Sequence, residues 1–178
     1  MNATRTFAVL TLTAALAACA APKPRTLVDL PPFPTAEYTS LQQSGSASVT
    51  GQVFMKTAGG TVQLGAGNAV ILEPATSYSS AYYAAYGNRD PEPPRDFYGQ
   101  VEPLQPSFDP RRDQYVRQTT ADAQGNFQFS GLPAGRYFVS SKVVWLAPVG
   151  GGAWQQGGTV TQEVSVADGQ AVRVMLTR

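Results

Sequence analysis

One thiol, three amines and no imidazole make up the reactive inventory of this chain. The absence of histidine removes a Ser-His-Asp triad, a Cys-His dyad and any histidine zinc site. It also removes the side chain that shuttles protons near neutral pH. The amines are Lys23, Lys56 and Lys142. The acids Asp90, Glu92, Asp96 and Glu102 share one proline-rich stretch. A glycosidase needs two such groups about 5–10 Å apart, and one of them needs burial to raise its pKa for acid catalysis. A polar, proline-rich loop offers no such burial, so they read as solvated charges. Asp122-Ala123-Gln124-Gly125-Asn126 lacks the repeated acids of a calcium loop and reads as a turn. The expectation is therefore no catalytic residue, no metal and no cofactor.

Aromatic side chains are the other candidates. Tyr78, Tyr82, Tyr83, Tyr86, Phe97 and Tyr98 crowd one segment, and Trp154 follows the flexible Gly150-Gly151-Gly152. Exposed rings of this kind stack on sugars or anchor a protein partner. Alternatively, the tyrosines lie on a helix that packs inward and seals one sheet face. The candidate binding surface is Tyr78, Tyr82, Tyr83, Tyr86, Tyr98 and Trp154, with an envelope glycan or an envelope protein as its ligand.

The single cysteine, Cys19, sits at the end of an N-terminal pattern. Arg5 supplies a positive start, and Phe7 to Ala18 is apolar except for threonines. That run is too short for a bilayer span of about 20 residues, and it has the form of a secretory signal. Leu16-Ala17-Ala18-Cys19 resembles the bacterial lipobox. The resemblance implies cleavage between Ala18 and Cys19, diacylglycerol on the thiol and an acylated amine. Several acyl chains give stable membrane anchoring, each buried methylene adding about 0.8 kcal/mol. An ordinary secreted protein with a free thiol would leave the lone cysteine unexplained. Ala20, rather than Asp, follows the cysteine. By resemblance to Gram-negative lipoproteins, that places the protein on the periplasmic face of the outer membrane.

Composition limits the partners. Charged residues are 14% of the chain and the formal net charge is +1, so no basic field exists to concentrate nucleic acid. Hydrophobic residues at 43% suffice for a core. Seventeen glycines and 14 prolines favour turns over long helices.

The elements follow from periodicity. Residues 1–18 form the signal, 19–46 a lipidated cysteine and proline-rich tether, and 47–178 one domain. Pro22, Pro24, Pro31, Pro32 and Pro34 favour extended polyproline in the tether; the alternative is that Leu27, Leu30 and Phe33 dock on the domain. Seven strands are read, over 47–54, 68–73, 114–120, 126–130, 135–146, 159–167 and 170–177. Period-two alternation between glycine and aspartate turns predicts an antiparallel β-sandwich. An insertion over about 76–112 interrupts it. Tyr78, Tyr82 and Tyr86, four apart, predict a short helix with Asn88 at its C-terminal stop. The proline-rich remainder predicts an irregular loop.

Thr119 to Val139, TTADAQGNFQFSGLPAGRYFV, resembles the carboxypeptidase regulatory-like domain, a transthyretin-like sandwich related to collagen-adhesin repeats. The matching residues are Thr120, Asp122, Gly125, Phe127, Phe129, Leu132, Pro133, Gly135 and Tyr137, joined by the opening Val49 to Phe54 and by Ala69 to Thr76. These matches serve structure. Asp122 and Gly125 shape a turn, the phenylalanines fill a core, and Tyr137 buries its ring while its hydroxyl reaches backbone. The resemblance implies an all-β, seven-stranded, transthyretin-like sandwich without catalysis, and fold alone assigns no function. The sequence thus reads as a non-enzymatic, membrane-anchored envelope module, with carbohydrate or peptidoglycan binding through the tyrosine-rich insertion as the alternative.

Overall fold

The structure, a computed structural model, describes residues 29–39, 41, 43–88, 108–149 and 152–178. Cys19, Ala18, Tyr98 and the acids between Asp90 and Glu102 lie outside the described residues. The strands are β1 (Ala47–Lys56), β2 (Val62–Leu64), β3 (Ala69–Pro74), β4 (Arg117–Thr120), β5 (Asn126–Leu132), β6 (Gly135–Val149), β7 (Gly152–Val166) and β8 (Ala171–Leu176). They form two four-stranded sheets. In the first, β1 lies beside β5, with β2 and β8 sharing its other edge; the second has the order β4-β3-β6-β7.

The alternation seen in the sequence is the alternation of burial. Along β1, Ala47, Val49, Val53 and Met55 point inward, and Phe127, Phe129 and Leu132 on β5 meet them. From the second sheet come Val70, Leu72, Tyr137, Val139, Val143, Val160, Val164 and Val166, closing one continuous core between the sheets. Packing of the two inner faces is what stabilises such a sandwich. Gly51 interrupts the inward row because the ring of Phe127 occupies its place: an added Cβ would lie 2.6 Å from that ring. The Asp122 turn forms as read. The carboxylate accepts from the backbone N–H groups of Gln124 (2.9 Å) and Asn126 (2.8 Å), and Gly125 takes φ +80°. The Tyr137 hydroxyl donates to the carbonyl of Pro133 at 2.8 Å.

Three expectations change. The described strands number eight, not seven: β2 is three residues long and forms where Val62–Leu64 pairs with Phe54–Lys56. Its side chains are largely exposed, so no inward alternation announces it. The sandwich is not wholly antiparallel either, since β8 runs parallel to β1 from Ser48↔Ala171 to Val53↔Leu176. The 167–170 turn carries the chain from β7 in one sheet across to β8, beside β1, in the other.

The third change concerns the segment before residue 47. Its described part is not an undocked tether. Helix α1 (Thr35–Thr39) lies against the second sheet's helical cover, and Tyr38 is fully buried. The alternative of docking holds for Phe33, whose ring stacks on Tyr38 (4.5 Å, 2°) and meets Tyr78 edge-on at 5.6 Å. Leu27 lies outside the described residues. The aromatic residues in this segment outweigh the prolines' preference for extension, because each ring buries a large apolar area.

Candidate functional site

The second sheet is covered on its outer face, and that cover builds the candidate site. Helix α2 (Ser77–Tyr86) starts at a capping box. Ser79 N–H donates to Thr76 Oγ1 at 3.2 Å and Thr76 N–H to Ser79 Oγ at 2.8 Å. A carboxylate from α1 supports the same end: Glu37 accepts from the Ser77 N–H (2.7 Å) and hydroxyl (2.6 Å), favourable beside the positive helix terminus. The helix ends at Gly87, one residue before the expected stop. Asn88 instead accepts the β7 backbone N–H of Thr161 at 3.0 Å, pinning the helix end to the sheet edge.

The tyrosines face the sheet. Tyr83 stacks on Phe138 of β6 (4.6 Å, 30°), with its hydroxyl 3.5 Å from Ser140 Oγ. The Tyr78 hydroxyl accepts the backbone N–H of Asp109 at 3.1 Å. Tyr78, Tyr83 and Tyr86 are buried, so they do not form an open aromatic surface. The inward reading of the helix describes them, because period-four tyrosines supply the apolar stripe a sheet-packing helix needs. Tyr82 is half-buried and gathers the others, with ring centroids 5.0 Å from Tyr83, 5.3 Å from Tyr86 and 4.6 Å from Phe108. Trp154 is placed on β7 opposite Ala147, away from this cluster in the strand register, and its side chain lies outside the described part.

Beneath these rings lies an ion pair that no local pattern signals. Arg112 belongs to the short 3-10 helix Pro110–Gln114, which begins at Asp109. Its Nε donates to Glu73 Oε1 at 2.7 Å and its Nη2 to Oε2 at 2.5 Å. The Glu73 side chain is fully buried and that of Arg112 is 9% exposed. Tyr38 donates to Glu73 Oε1 at 3.3 Å and accepts from Thr76 at 3.1 Å, so residues 38, 73, 76 and 112 form one satisfied network. Burial disfavours the Arg112 charge, but the Glu73 hydrogen bonds and charge outweigh it and hold the guanidinium firmly protonated. Burial also pushes the Tyr38 hydroxyl up to about 12 against the opposing Thr76 bond. The Arg112 guanidinium lies 4.1 Å from the Phe108 ring centroid, a cation–π contact.

Between this aromatic cluster and the outer face of the sheet is a cleft of about 290 Å³. Tyr82, Tyr86 and Phe108 form one wall. Asn68, Lys142, Ser140 and Thr159 bring amide, ammonium and hydroxyl groups from the sheet side. The Asn68 Nδ2 donates to the Lys142 carbonyl at 2.8 Å, which fixes the amide. Among the described residues no Asp or Glu lines the cleft, and Glu73 lies behind it with both oxygens on Arg112. Among the described residues, too, no group of three acidic, histidine or cysteine side chains is positioned to hold a metal. Phe108 and Arg112 are cleft residues that the sequence did not single out. Glu73 shares the outward parity of Ala69 and Ile71 on β3, so alternation alone gave no sign of its burial or its partner.

The fold defined by these elements is a two-sheet β-sandwich with one outer face sealed by helices. No protein-family model matches the chain, and no curated protein does. A solved structure does match: PA1324 from Pseudomonas aeruginosa, described as a "putative carbohydrate binding protein". The two are 43% identical with a TM-score of 0.75, over 84% of this chain and all of the other. The chain belongs to the family of that protein.

Proposed function

We propose that this protein is a non-enzymatic, lipid-anchored module of the cell envelope that binds carbohydrate in the cleft between α2 and the second sheet. The observation that carries the reading is the cleft itself. Tyrosine and phenylalanine rings stand opposite amide, hydroxyl and ammonium groups, the pairing that suits the apolar face and hydroxyl rim of a sugar. The description of the 43%-identical relative supports the same ligand class. The resemblance of Leu16 to Cys19 to the bacterial lipobox supports a lipid anchor, and Ala20 in place of Asp after it supports the outer membrane. The match over Thr119 to Val139 supports a carboxypeptidase regulatory-like, transthyretin-like assignment for the sandwich.

The test is retention on insoluble peptidoglycan and calorimetric titration with its soluble fragments. Tyr82→Ala removes the ring shared by the whole cluster; at about 1 kcal/mol for a stacked aromatic, binding weakens by roughly five- to tenfold. Retention equal to wild type in a Tyr82→Ala/Lys142→Ala double variant refutes the assignment of this cleft. Cys19→Ser tests the anchor separately: the protein is expected to leave the membrane fraction or to accumulate unprocessed with its fold intact.

A further inference from the structure

A second cleft, of about 370 Å³, opens at the end of the sandwich where the N-terminal segment returns toward β1. It is distinct from the aromatic cleft, and the inference does not rest on the carbohydrate reading. Its walls include Tyr115, Pro133 and Tyr137, and Arg117 and Arg136 reach it. The two arginines differ. Arg136 is neutralised by Glu163, with Nε to Oε1 at 2.5 Å. Among the described residues Arg117, the first residue of β4, donates only to backbone carbonyls: Ser130 and Gly131 at 3.2 Å each, and Gln43 at 2.7 Å.

None of these acceptors carries charge. Arg111, Arg112 and Arg136 pair with Asp109, Glu73 and Glu163, whereas among the described residues no carboxylate pairs with Arg117. Among those residues, too, no acidic side chain lines the cleft. The bonds engage Nη1 and Nη2 and leave the Nε–H without a partner among the described residues. Arg117 is a half-buried residue, and its guanidinium, clamped by three carbonyls and without a carboxylate partner among the described residues, is oriented before any ligand arrives. Such preorganisation reduces the ordering cost of binding. Guanidinium groups prefer planar, two-oxygen acceptors, and a cleft of this volume is within the range of small-ligand sites.

We infer that this end cleft binds the carboxylate of a small organic acid through Arg117, with the acid's body lying between Tyr115 and the Pro133–Tyr137 wall. The carboxylate is the shared chemistry; it can sit on a sugar ring, as in a uronic acid, or at the end of a short peptide.

The experiment is a nitrogen–proton NMR titration of the chain from residue 20 onward, at low salt. Five probes are used: glucuronate and acetyl-alanine, each beside a neutral counterpart, glucose or acetyl-alanine amide, and inorganic phosphate. The expected result is a saturable shift of the Arg117 Nε–H and Gly135 N–H signals with one or both acids, identifying the source, and none with the neutral probes. Arg117→Gln is expected to weaken binding by about tenfold or more, the scale of one charge-assisted hydrogen bond. Because Arg117 also holds the chain at Gln43, Ala134→Trp is the second variant. It fills the cleft, leaves the Arg117 bonds in place and is expected to abolish the shifts in a folded protein. Equal shifts from acid and neutral probes, an unchanged titration in Ala134→Trp, or tighter binding of inorganic phosphate than of either acid would each overturn the inference. Loss of peptidoglycan retention in Tyr82→Ala leaves these signals unmoved, so the two sites fail separately.

Discussion

Removing Glu73 should cost far more than its single charge suggests. In Glu73→Ala, Arg112 keeps its burial and loses both acceptors, 2.7 and 2.5 Å away, while Tyr38 loses the acceptor of its hydroxyl. Breaking a buried pair by deleting one partner costs about 3–5 kcal/mol, because an uncompensated charge remains in low dielectric. For a domain of this size, roughly 2–4 °C of melting temperature accompanies each kcal/mol, so the midpoint should fall by about 6–20 °C. Arg112→Leu leaves Glu73 equally stranded and should cost a similar amount. The double variant Glu73→Ala/Arg112→Leu removes both charges together, so it should be much less destabilised than the sum of the single variants. The assay is equilibrium urea unfolding of wild type, both singles and the double, followed by circular dichroism. The cycle should give a coupling energy of about 2–3 kcal/mol, at the upper end for residues in direct contact. A coupling below about 0.5 kcal/mol, the value for independent sites, would show that the pair does not hold the helical cover to the sheet.

Two further predictions use other parts of the same frame. The Tyr38 hydroxyl is pushed up to about 12 by burial, above the usual value of 10, so the folded state keeps a proton that the unfolded chain releases first. That contribution is complete below about pH 10 and is lost as pH rises toward 12; Tyr38→Phe should flatten the fall in stability over that window, measured by urea unfolding at stepped pH. Gly125→Ala forces a side chain into φ +80° with its Cβ 2.6 Å from the Val53 carbonyl. It should destabilise the domain by about 1–3 kcal/mol, and a midpoint unchanged from wild type would contradict the turn geometry.

Most of the sandwich was legible because burial repeats every second residue. Val70 and Leu72, Phe127 and Phe129, and the valines of β7 and β8 declared their faces by alternation alone. The Asp122–Asn126 turn was legible because its chemistry is local. The site was less so. Nothing near Glu73 in sequence announces Arg112, 39 residues away across the insertion. The aromatic spacing on α2 identified a helix but not its orientation, since rings at positions 78, 82 and 86 describe a packing stripe and a binding stripe equally. The decisive information lay on the other side of the contact, in Phe138 and Ser140, which point outward from β6 and need cover. Ile71 and Ala69, apolar on the outer face of β3, carried the same signal. The docking of α1 was hidden by the prolines around it, and only the rings of Phe33 and Tyr38 hinted at burial.

If the proposed lipid anchor is present, that docking sets the domain's working radius. With lipid on Cys19, an undocked leash up to Ala47 would let the sandwich wander as far as about 90 Å from the bilayer, at about 3.4 Å per extended residue. Clasping Phe33 against Tyr78 brings that ceiling down to about 45 Å, the fully extended length of residues 20–32 at the same rise. Tyr78 is one helical turn from Tyr82, so the mooring point and the aromatic cleft share a side of the molecule. The cleft would therefore patrol a shallow layer next to the membrane, where the same number of molecules gives a higher local concentration, and a ligand seized there would be drawn in close to the lipid surface rather than held at arm's length.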